Sequence, residues 1–396
     1  MITRTAAIWV SPLLVCGVIL LLPIAVTVAF LTTVVREGET RRSLGWAVYR
    51  GFGRFIVCIT VVCWWVMWTL RGSSELVPML LRPWPGVLEL SSAEALLFWA
   101  PPFASLGVFL TLCYAVDRKF LKLKWKLTDL VQRAWWRLVS FVVPLLMVAA
   151  AFDNIFERRP AGGIAWLVCA GVVSRIGTVF LRRAEGMKLN RLKSGELRNR
   201  ALKMANRMEV TLGRVYIVPA GKGHLTNAYG MSNAIGLTDN LGRYLTKTQV
   251  DCVIAHELAH VKLKHGRKQL LVVVAIFSIM TALVFVLPRH ALSFRPLLQL
   301  AVIFVPLVAM YYASRRFEYS ADREAVEFTG DPETAIRALI NLHQVHEVPT
   351  RRDRFSELFM THPTLVKRVE AIANVGEIDH ERLRDILKDE GIAVPP

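Results

Sequence analysis

Long apolar stretches restrict the folds open to this chain more than any other feature of the sequence. They lie at about 7–35, 52–70, 95–116, 138–152, 162–181, 270–287 and 297–313. A membrane-spanning helix needs about 17 to 25 mostly apolar residues, so the first, second, third and fifth stretches are long enough and the others need flanking residues. With 54% hydrophobic residues, the chain is also more apolar than an ordinary soluble protein. The sequence therefore predicts a mainly α-helical, polytopic membrane bundle of about seven spans, with six spans as the alternative.

The distribution of positive charge predicts an orientation for these spans. Arginine and lysine are concentrated in the connections at 36–54 and 117–137. Because basic loops stay in the cytoplasm, alternation through seven spans places the C-terminus and the segment 182–269 there as well. We attribute the net charge of +18 to loops that face anionic lipid rather than to nucleic-acid binding, since no nucleic-acid motif accompanies it.

Residues 256–260 read His-Glu-Leu-Ala-His within a segment of helical periodicity. Residues four apart on a helix face the same way, so His256 and His260 can ligate one metal ion. Glu257 is turned aside and is better placed to act on a metal-bound water. Thr248 is the predicted N-cap of this helix. The alternative is a pair of surface histidines on an amphipathic helix.

A second helical segment supplies two carboxylates, Glu318 and Asp322. A catalytic zinc ion uses three protein ligands and an open position for water, and two histidines with one glutamate form a known set. Glu318 is the predicted third ligand, and Asp322, one turn later, can accept the free ring N–H of a ligating histidine. The alternative is an exposed carboxylate pair among neighbouring arginines. These residues predict one Zn²⁺ per chain.

Three segments, taken in order, resemble the integral-membrane zinc metalloproteases (gluzincins) that include the CaaX prenyl proteases and the HtpX-like quality-control proteases. They are 256–265 (HELAHVKLKH), 318–325 (EYSADREA) and 361–368 (THPTLVKR). The resemblance covers the chain from about residue 187 onward. It implies a zincin-like metalloprotease domain, which the charge distribution places on the cytoplasmic side of the membrane, and a polypeptide substrate that is itself associated with the bilayer.

The same resemblance implies roles for four further residues. His362 and Arg368 would stabilise the oxyanion that develops when water attacks the peptide carbonyl. For Arg368, an ion pair with a carboxylate such as Asp322 is the alternative. Asn227 and Ala228 would lie on an edge strand that pairs with the substrate backbone. For this pair, the alternative is an Asx-type turn that closes a hairpin.

The domain organisation follows from the spans and motifs. Short strands are predicted at 215–218 and 234–237, and amphipathic helices at 186–208, 332–347 and 363–375. The predicted parts are an N-terminal transmembrane region of about five spans (1–181), a first part of the protease domain with the zinc helix (182–269), two further spans (270–313), and a second part with the third ligand and C-terminal helices (314–396).

Together these features predict a membrane-embedded zinc endopeptidase in which Glu257 is the general base for a zinc-activated water. Two alternatives come from other classes: a membrane sensor or signal transducer, and a non-catalytic scaffold with a metalloprotease-like domain. Ala259, Val261 and Lys264 depart from the prenyl-protease pattern, so the choice between CaaX-type processing and membrane-protein quality control stays open. A bacterial inner membrane is the expected location, and the oligomeric state is undetermined.

Overall fold

The structure is a computed structural model that describes residues 21, 25, 126–137, 139–140, 143–156, 159–186, 188–219, 227–231, 233–286, 295–345, 357 and 360–392. All the elements named below lie within the unit Lys126–Pro396. The predicted spans at 7–35, 52–70 and 95–116 fall outside the described residues, apart from positions 21 and 25.

The described part of the chain is mainly helical and contains one small sheet. In chain order its elements are α1 (Leu127–Arg137), α2 (Val143–Phe156), α3 (Pro160–Ala184), β1 (Asn190–Arg191), α4 (Glu196–Arg207), β2 (Arg214–Val218), β3 (Ala228–Met231), β4 (Ala234–Thr238), α5 (Leu241–Tyr244), α6 (Lys247–Lys262), α7 (His265–Val286), α8 (Arg295–Thr329), α9 (Pro332–Val345), α10 (Leu365–Val375) and α11 (His380–Asp389).

The sheet has the strand order β1-β2-β4-β3. β2 and β4 are the two predicted strands, and they pair in parallel with Val215 opposite Ile235. β3 adds antiparallel to the outer side of β4, with Ala228 opposite Leu237. Every residue of β4 is buried, as expected for a central strand covered on both faces. β3 is therefore an edge strand.

The helix predicted at 186–208 is wrong in its first half. Residues 190–191 form β1, which pairs antiparallel with β2, and the Leu192 N–H donates to the Val215 carbonyl. α4 begins only after Gly195. The φ of this residue is 117°, a conformation that glycine adopts readily and that residues with a Cβ atom rarely adopt. Leu192, which follows β1, packs on the same core as α4. The apolar residues that suggested one helix therefore belong partly to a strand segment and partly to α4.

The predicted zinc helix is α6, but its N-cap is Thr246 and not Thr248. The Thr246 hydroxyl accepts the Gln249 N–H, and the Gln249 side chain accepts the Thr246 N–H. This reciprocal capping box requires Gln249 three residues after the cap, which the sequence supplies only for Thr246. The inner face of α6 packs between the sheet and α8 through Ile254 and Leu258, neither of which is exposed.

α8 is one continuous helix of 35 residues that joins an apolar stretch to the segment that carries Glu318 and Asp322. It contains the predicted span at 297–313, passes through Pro306 and ends beyond Asp322. α7 packs against α8, and α8 packs against α6. After α6 the chain continues through α7, and α8 then packs against α6. This packing brings Glu318 next to the helix that carries His256 and His260.

Among the described residues, two helices are long and apolar enough to cross a membrane, Pro160–Ala184 and His265–Leu283. α2, at 14 residues, is shorter than the about 17 that a span needs. The count of about seven spans therefore stays a prediction.

A second core assembles the C-terminal helices on the end of α8. Ile336 and Ile340 of α9, Val369 and Ile372 of α10, and Ile386 of α11 are buried in it. The predicted helices at 332–347 and 363–375 are confirmed as α9 and α10. Their packing brings the N-terminal part of α10, which carries Arg368, next to α8.

Candidate metal centre

Three side chains from two helices converge at one point in the described structure. His256 and His260 occupy successive turns of α6, and their Nε2 atoms are 3.1 Å apart. Glu318, from α8, places Oε2 at 3.7 Å from His256 Nε2 and Oε1 at 3.5 Å from His260 Nε2. The predicted ligand set is therefore assembled, and it is a group among the described residues whose ligand atoms could hold one metal ion.

The spacing of these atoms fits a zinc ion. Ligand atoms at about 2.0–2.2 Å from a tetrahedral centre lie roughly 3.3–3.5 Å from one another. The three observed separations, 3.1, 3.5 and 3.7 Å, lie around that value. Two imidazoles and one carboxylate are also a donor set that zinc accepts at catalytic sites, with a fourth position left for water.

Asp322 lies behind His256, as predicted. Its Oδ1 is 2.9 Å from Nδ1 of His256. A carboxylate only accepts, so the ring proton of His256 faces Asp322 and the Nε2 lone pair faces the centre. Burial would raise the pKa of Asp322, but the charge and hydrogen bonds of Arg368 and the contact with His256 lower that pKa to about 2. Asp322 is therefore ionised and able to orient the ligand.

Glu318 is only 6% exposed, and its charge is also compensated. Burial would raise the pKa of its carboxyl, but the Arg368 charge and the nearby His260, His362 and His256 rings hold that pKa well below its usual range. Nη1 of Arg368 is 3.1 Å from Oε2 of Glu318, and Nδ1 of His362 is 3.0 Å from the same oxygen. An ionised carboxylate is the form that ligates a metal.

Arg368 makes the ion pair that the sequence offered as its alternative role. Its Nε and Nη2 donate to the two carboxylate oxygens of Asp322 at 2.8 and 2.7 Å, which is the bidentate geometry that guanidinium groups favour. The side chain is 13% exposed, whereas that of His362 is 61% exposed. Both residues line the cleft beside the centre, and their implied contact with an oxyanion stays a prediction.

The centre opens into a cleft of about 890 Å³. One wall is β3 together with the preceding Asn227, and another is α6 with Glu257 and His260. Such a volume is within the usual range for sites that bind small molecules or short peptide segments. The predicted base and the predicted substrate strand therefore line the same cleft as the ligands.

Within the part of the chain that the structure describes, no strand pairs with the side of β3 away from β4. The Thr238 N–H donates to the Asn227 carbonyl at 3.0 Å, so Asn227 and Thr238 form a hydrogen-bonded pair. Because such pairs alternate along an antiparallel ladder, Ala228 and Gly230 direct their backbone groups away from β4. The Ala228 N–H is covered by Oδ1 of its neighbour Asn227 at 2.9 Å. The predicted edge strand is thus present, and Oδ1 of Asn227 accepts the N–H of the next residue, not the N–H two residues on that an Asx turn uses.

Gly230 sets the distance between β3 and the predicted base. A Cβ atom at this position would lie 3.1 Å from both the backbone oxygen and Oε2 of Glu257. Those contacts are tighter than ordinary van der Waals separation. The strand can therefore approach the Glu257 carboxylate this closely because residue 230 has no side chain.

Two residues beside the centre were not among the predicted site residues. His265 is buried, and its Nδ1 is 2.8 Å from Nδ1 of His260. Ser320 lies two residues after Glu318, and its Oγ is 3.1 Å from Nε2 of His265. A histidine five residues after His260 has no metal-ligand spacing, so the motif itself carried no signal for this contact.

Comparisons with known proteins find similarity to a peptidase family. A model of peptidase family M48 matches residues 191–375, which begin in β1 and end with α10. The Protease HtpX homolog of Streptococcus gordonii is 25% identical over 285 residues, which cover 61% of this chain and 96% of the relative. That of Streptococcus pneumoniae is 22% identical over 290 residues, with 62% and 97% covered.

Among solved structures, Ste24p of S. mikatae aligns with a TM-score of 0.47 and 20% identity, over 69% of this chain and 76% of that chain. The resemblance drawn from the three sequence motifs is confirmed by the family match. Over residues 191–375 the chain is thus similar to peptidase family M48, and over 61–62% of its length it is similar to HtpX homologs.

Proposed function

We propose that this protein is a zinc-dependent membrane endopeptidase whose metal is held by His256, His260 and Glu318. The observation that carries the proposal is the convergence of these three side chains at 3.1 to 3.7 Å in a cleft walled by an open strand edge. The M48 domain match supports peptide hydrolysis as the reaction.

The chemistry divides between the metal and the side chains around it. A zinc ion held by His256, His260 and Glu318 would supply a Lewis acid for the scissile carbonyl and would lower the pKa of a water molecule toward about 7. The Glu257 carboxylate takes a proton from the attacking water and passes it to the leaving nitrogen as the peptide bond breaks. His362, which is exposed to the cleft, donates to the developing oxyanion, and Arg368 adds positive charge beside it.

The substrate binds as an added strand on β3. The carbonyl of Ala228 and both backbone groups of Gly230 face the open side of the sheet, so an extended peptide can pair with them. An incoming carbonyl can also replace Oδ1 of Asn227 as the acceptor for the Ala228 N–H. Strand addition fixes the peptide backbone without reading its side chains, which suits a protease that acts on many sequences.

The substrate is a membrane-associated polypeptide, because the site is attached directly to apolar helices. α7 starts three residues after α6 ends, and α8 carries Glu318 on the same helix as a predicted span. Large apolar side chains on α3 and α7 are exposed, among them Ile164, Val168, Leu270 and Ile279. Lipid covers such faces in a membrane protein. We place the active site on the cytoplasmic side of a bacterial inner membrane, where the basic loops face anionic lipid.

Replacement of the base tests the proposal. Full-length protein in detergent would be assayed for zinc content and for cleavage of an unfolded membrane protein and a prenylated peptide. We expect Glu257→Gln to retain zinc and to lose about 10²- to 10⁴-fold in cleavage rate, because the variant cannot accept the proton. Glu370→Gln, an exposed change on α10, is the matched control and should cleave as the wild type does.

Three outcomes separate the possible functions. Cleavage of the prenylated peptide alone would assign CaaX-type processing, and cleavage of the unfolded protein would assign quality control. If the wild type retains zinc but cleaves neither substrate in a Glu257-dependent way, the protein is a scaffold or a membrane sensor and the proposal fails.

A further inference from the structure

His265 lies beside the candidate metal centre without being one of its ligands. It is the first residue of α7 and is 4% exposed. Its ring stacks on Phe317 with the centroids 4.5 Å apart and 13° between the planes. Nδ1 of His265 is 2.8 Å from Nδ1 of His260, and Nε2 is 3.1 Å from Oγ of Ser320. Both ring nitrogens are therefore at hydrogen-bond distance from a partner.

The hydroxyl of Ser320 determines which atom donates and which accepts in each of these hydrogen bonds. The Ser320 hydroxyl donates to the Phe317 carbonyl at 3.0 Å, and a carbonyl can only accept. With its proton used in this way, Ser320 Oγ accepts the Nε2–H of His265. Nδ1 of His265 then carries a lone pair, which accepts the Nδ1–H of His260. The Nε2 atom of His260 is left without a proton.

We infer that His265 is a positioning residue that, together with Ser320, holds His260 in the Nδ1–H tautomer with its Nε2 lone pair directed at the metal site. His256 obtains the same result from a different acceptor, the Asp322 carboxylate at 2.9 Å. Ligating imidazoles depend on an acceptor behind the ring, and its loss weakens metal binding by about 10- to 100-fold.

This arrangement also directs three electron-rich groups at one point. With both Nδ1 protons directed outward, the Nε2 atoms of His256 and His260 present lone pairs to each other at 3.1 Å and to the Glu318 carboxylate. Electron-rich atoms at these separations repel one another unless a cation lies among them. The inference rests on the metal site of the proposed function and deepens it.

Metal affinity of the full-length protein tests this assignment independently of proteolysis. Co²⁺ and Zn²⁺ binding would be measured by competition with a chelator, and the visible Co²⁺ spectrum would report the geometry. His265→Phe keeps the stacking on Phe317 but removes the acceptor, so we expect about 10- to 100-fold weaker binding and an altered spectrum. His265→Asn returns an acceptor near the Nδ1 position and should bind within a few-fold of the wild type.

Two further variants keep the test decisive. Ser320→Ala should weaken metal binding several-fold, because His265 then has no acceptor for its Nε2–H and can direct its proton at His260. This variant tests the inference even if His265→Phe fails to fold. His380→Phe, an exposed position on α11, is the control and should bind as the wild type does. Wild-type affinity and spectrum in a folded His265→Phe, or in Ser320→Ala, would overturn the inference, as would an Asn variant no better than Phe. Absence of metal binding by the wild type would instead overturn the metal site itself.

Discussion

Arg368 is the residue on which the charge balance of the centre depends. Burying two carboxylates, Glu318 and Asp322, is costly unless each has a compensating partner. Arg368 contacts both of them, at 3.1 Å and at 2.7 to 2.8 Å. Its guanidinium thereby keeps one carboxylate available as a ligand and the other as an acceptor for His256. A lysine could not make the same bidentate contact and reach Glu318 as well.

Gly230 offers a test of how β3 positions the base. In Gly230→Ala the new methyl group would meet Oε2 and the backbone oxygen of Glu257 at 3.1 Å, so the carboxylate must shift by a few tenths of an ångström. We expect the cleavage rate to fall on the order of tenfold while zinc content is unchanged, since small displacements of a catalytic group are costly. Gly242→Ala, which meets nothing within 4 Å, is the matched control. A wild-type rate in Gly230→Ala would show that β3 does not constrain Glu257.

At the level of elements, α6 carries most of the centre and its first turn is anchored by a capping box. The side chains of Thr246 and Gln249 accept two backbone N–H groups at the start of the helix, ahead of the turns that bear His256 and His260. Loss of a threonine N-cap costs about 1 kcal/mol, within a range of roughly 0.5 to 2. The cap therefore contributes to the stability of the helix and not to the chemistry.

Two threonines distinguish the observed cap from the predicted one. Thr246→Ala should lower the free energy of unfolding by about 1 kcal/mol, because the Gln249 N–H loses its acceptor. Thr248→Ala should change it by less than about 0.5 kcal/mol, as an exposed substitution inside the first turn. Denaturant unfolding in detergent measures both, with zinc stoichiometry unchanged in each. A larger loss of unfolding free energy in Thr248→Ala than in Thr246→Ala would show that Thr248 is the N-cap.

α8 joins the apolar part of the molecule to the site. One uninterrupted helix contains Pro306, which is buried, and then Glu318 and Asp322. A proline inside a helix removes one backbone hydrogen bond, and neighbouring helices compensate for this in membrane proteins. Movement of the apolar half of α8 would be passed directly to the third ligand, since no loop separates them.

For the whole molecule, a bound metal would cross-link α6 and α8, which are separated in sequence by α7. A ligand that binds only the folded state stabilises it, by about 2.7 kcal/mol at a hundredfold excess over its dissociation constant. We therefore expect removal of zinc with a chelator to lower the melting temperature of the wild type by several degrees. A His256→Ala, His260→Ala double variant should show no such shift. An equal shift in that variant would mean that the chelator acts elsewhere in the protein.

The sequence alone was sufficient to predict which three side chains converge in the cluster that could hold a metal ion, and to predict much of the local structure. His256, His260 and Glu257 were identified because helical periodicity is local, so a spacing of four residues already places two rings on one face. β2, β4, α9 and α10 were predicted for the same reason, from short-range patterns and turn residues. The family resemblance came from three short motifs, all of which lie within the residues that the family model matches.

Only the tertiary structure decided which groups meet across elements. Arg368 pairs with Asp322 because α10 packs on α8, and His265 reaches His260 because the chain turns between α6 and α7 at Lys264, which has a φ of 54°. The two-residue strand β1 formed within the first half of a predicted helix because β2 was available as a partner. Such choices depend on which distant surfaces become adjacent when the cores form. Buried polar groups then take the partners that this packing leaves within hydrogen-bond reach, and no spacing along the chain encodes that distance.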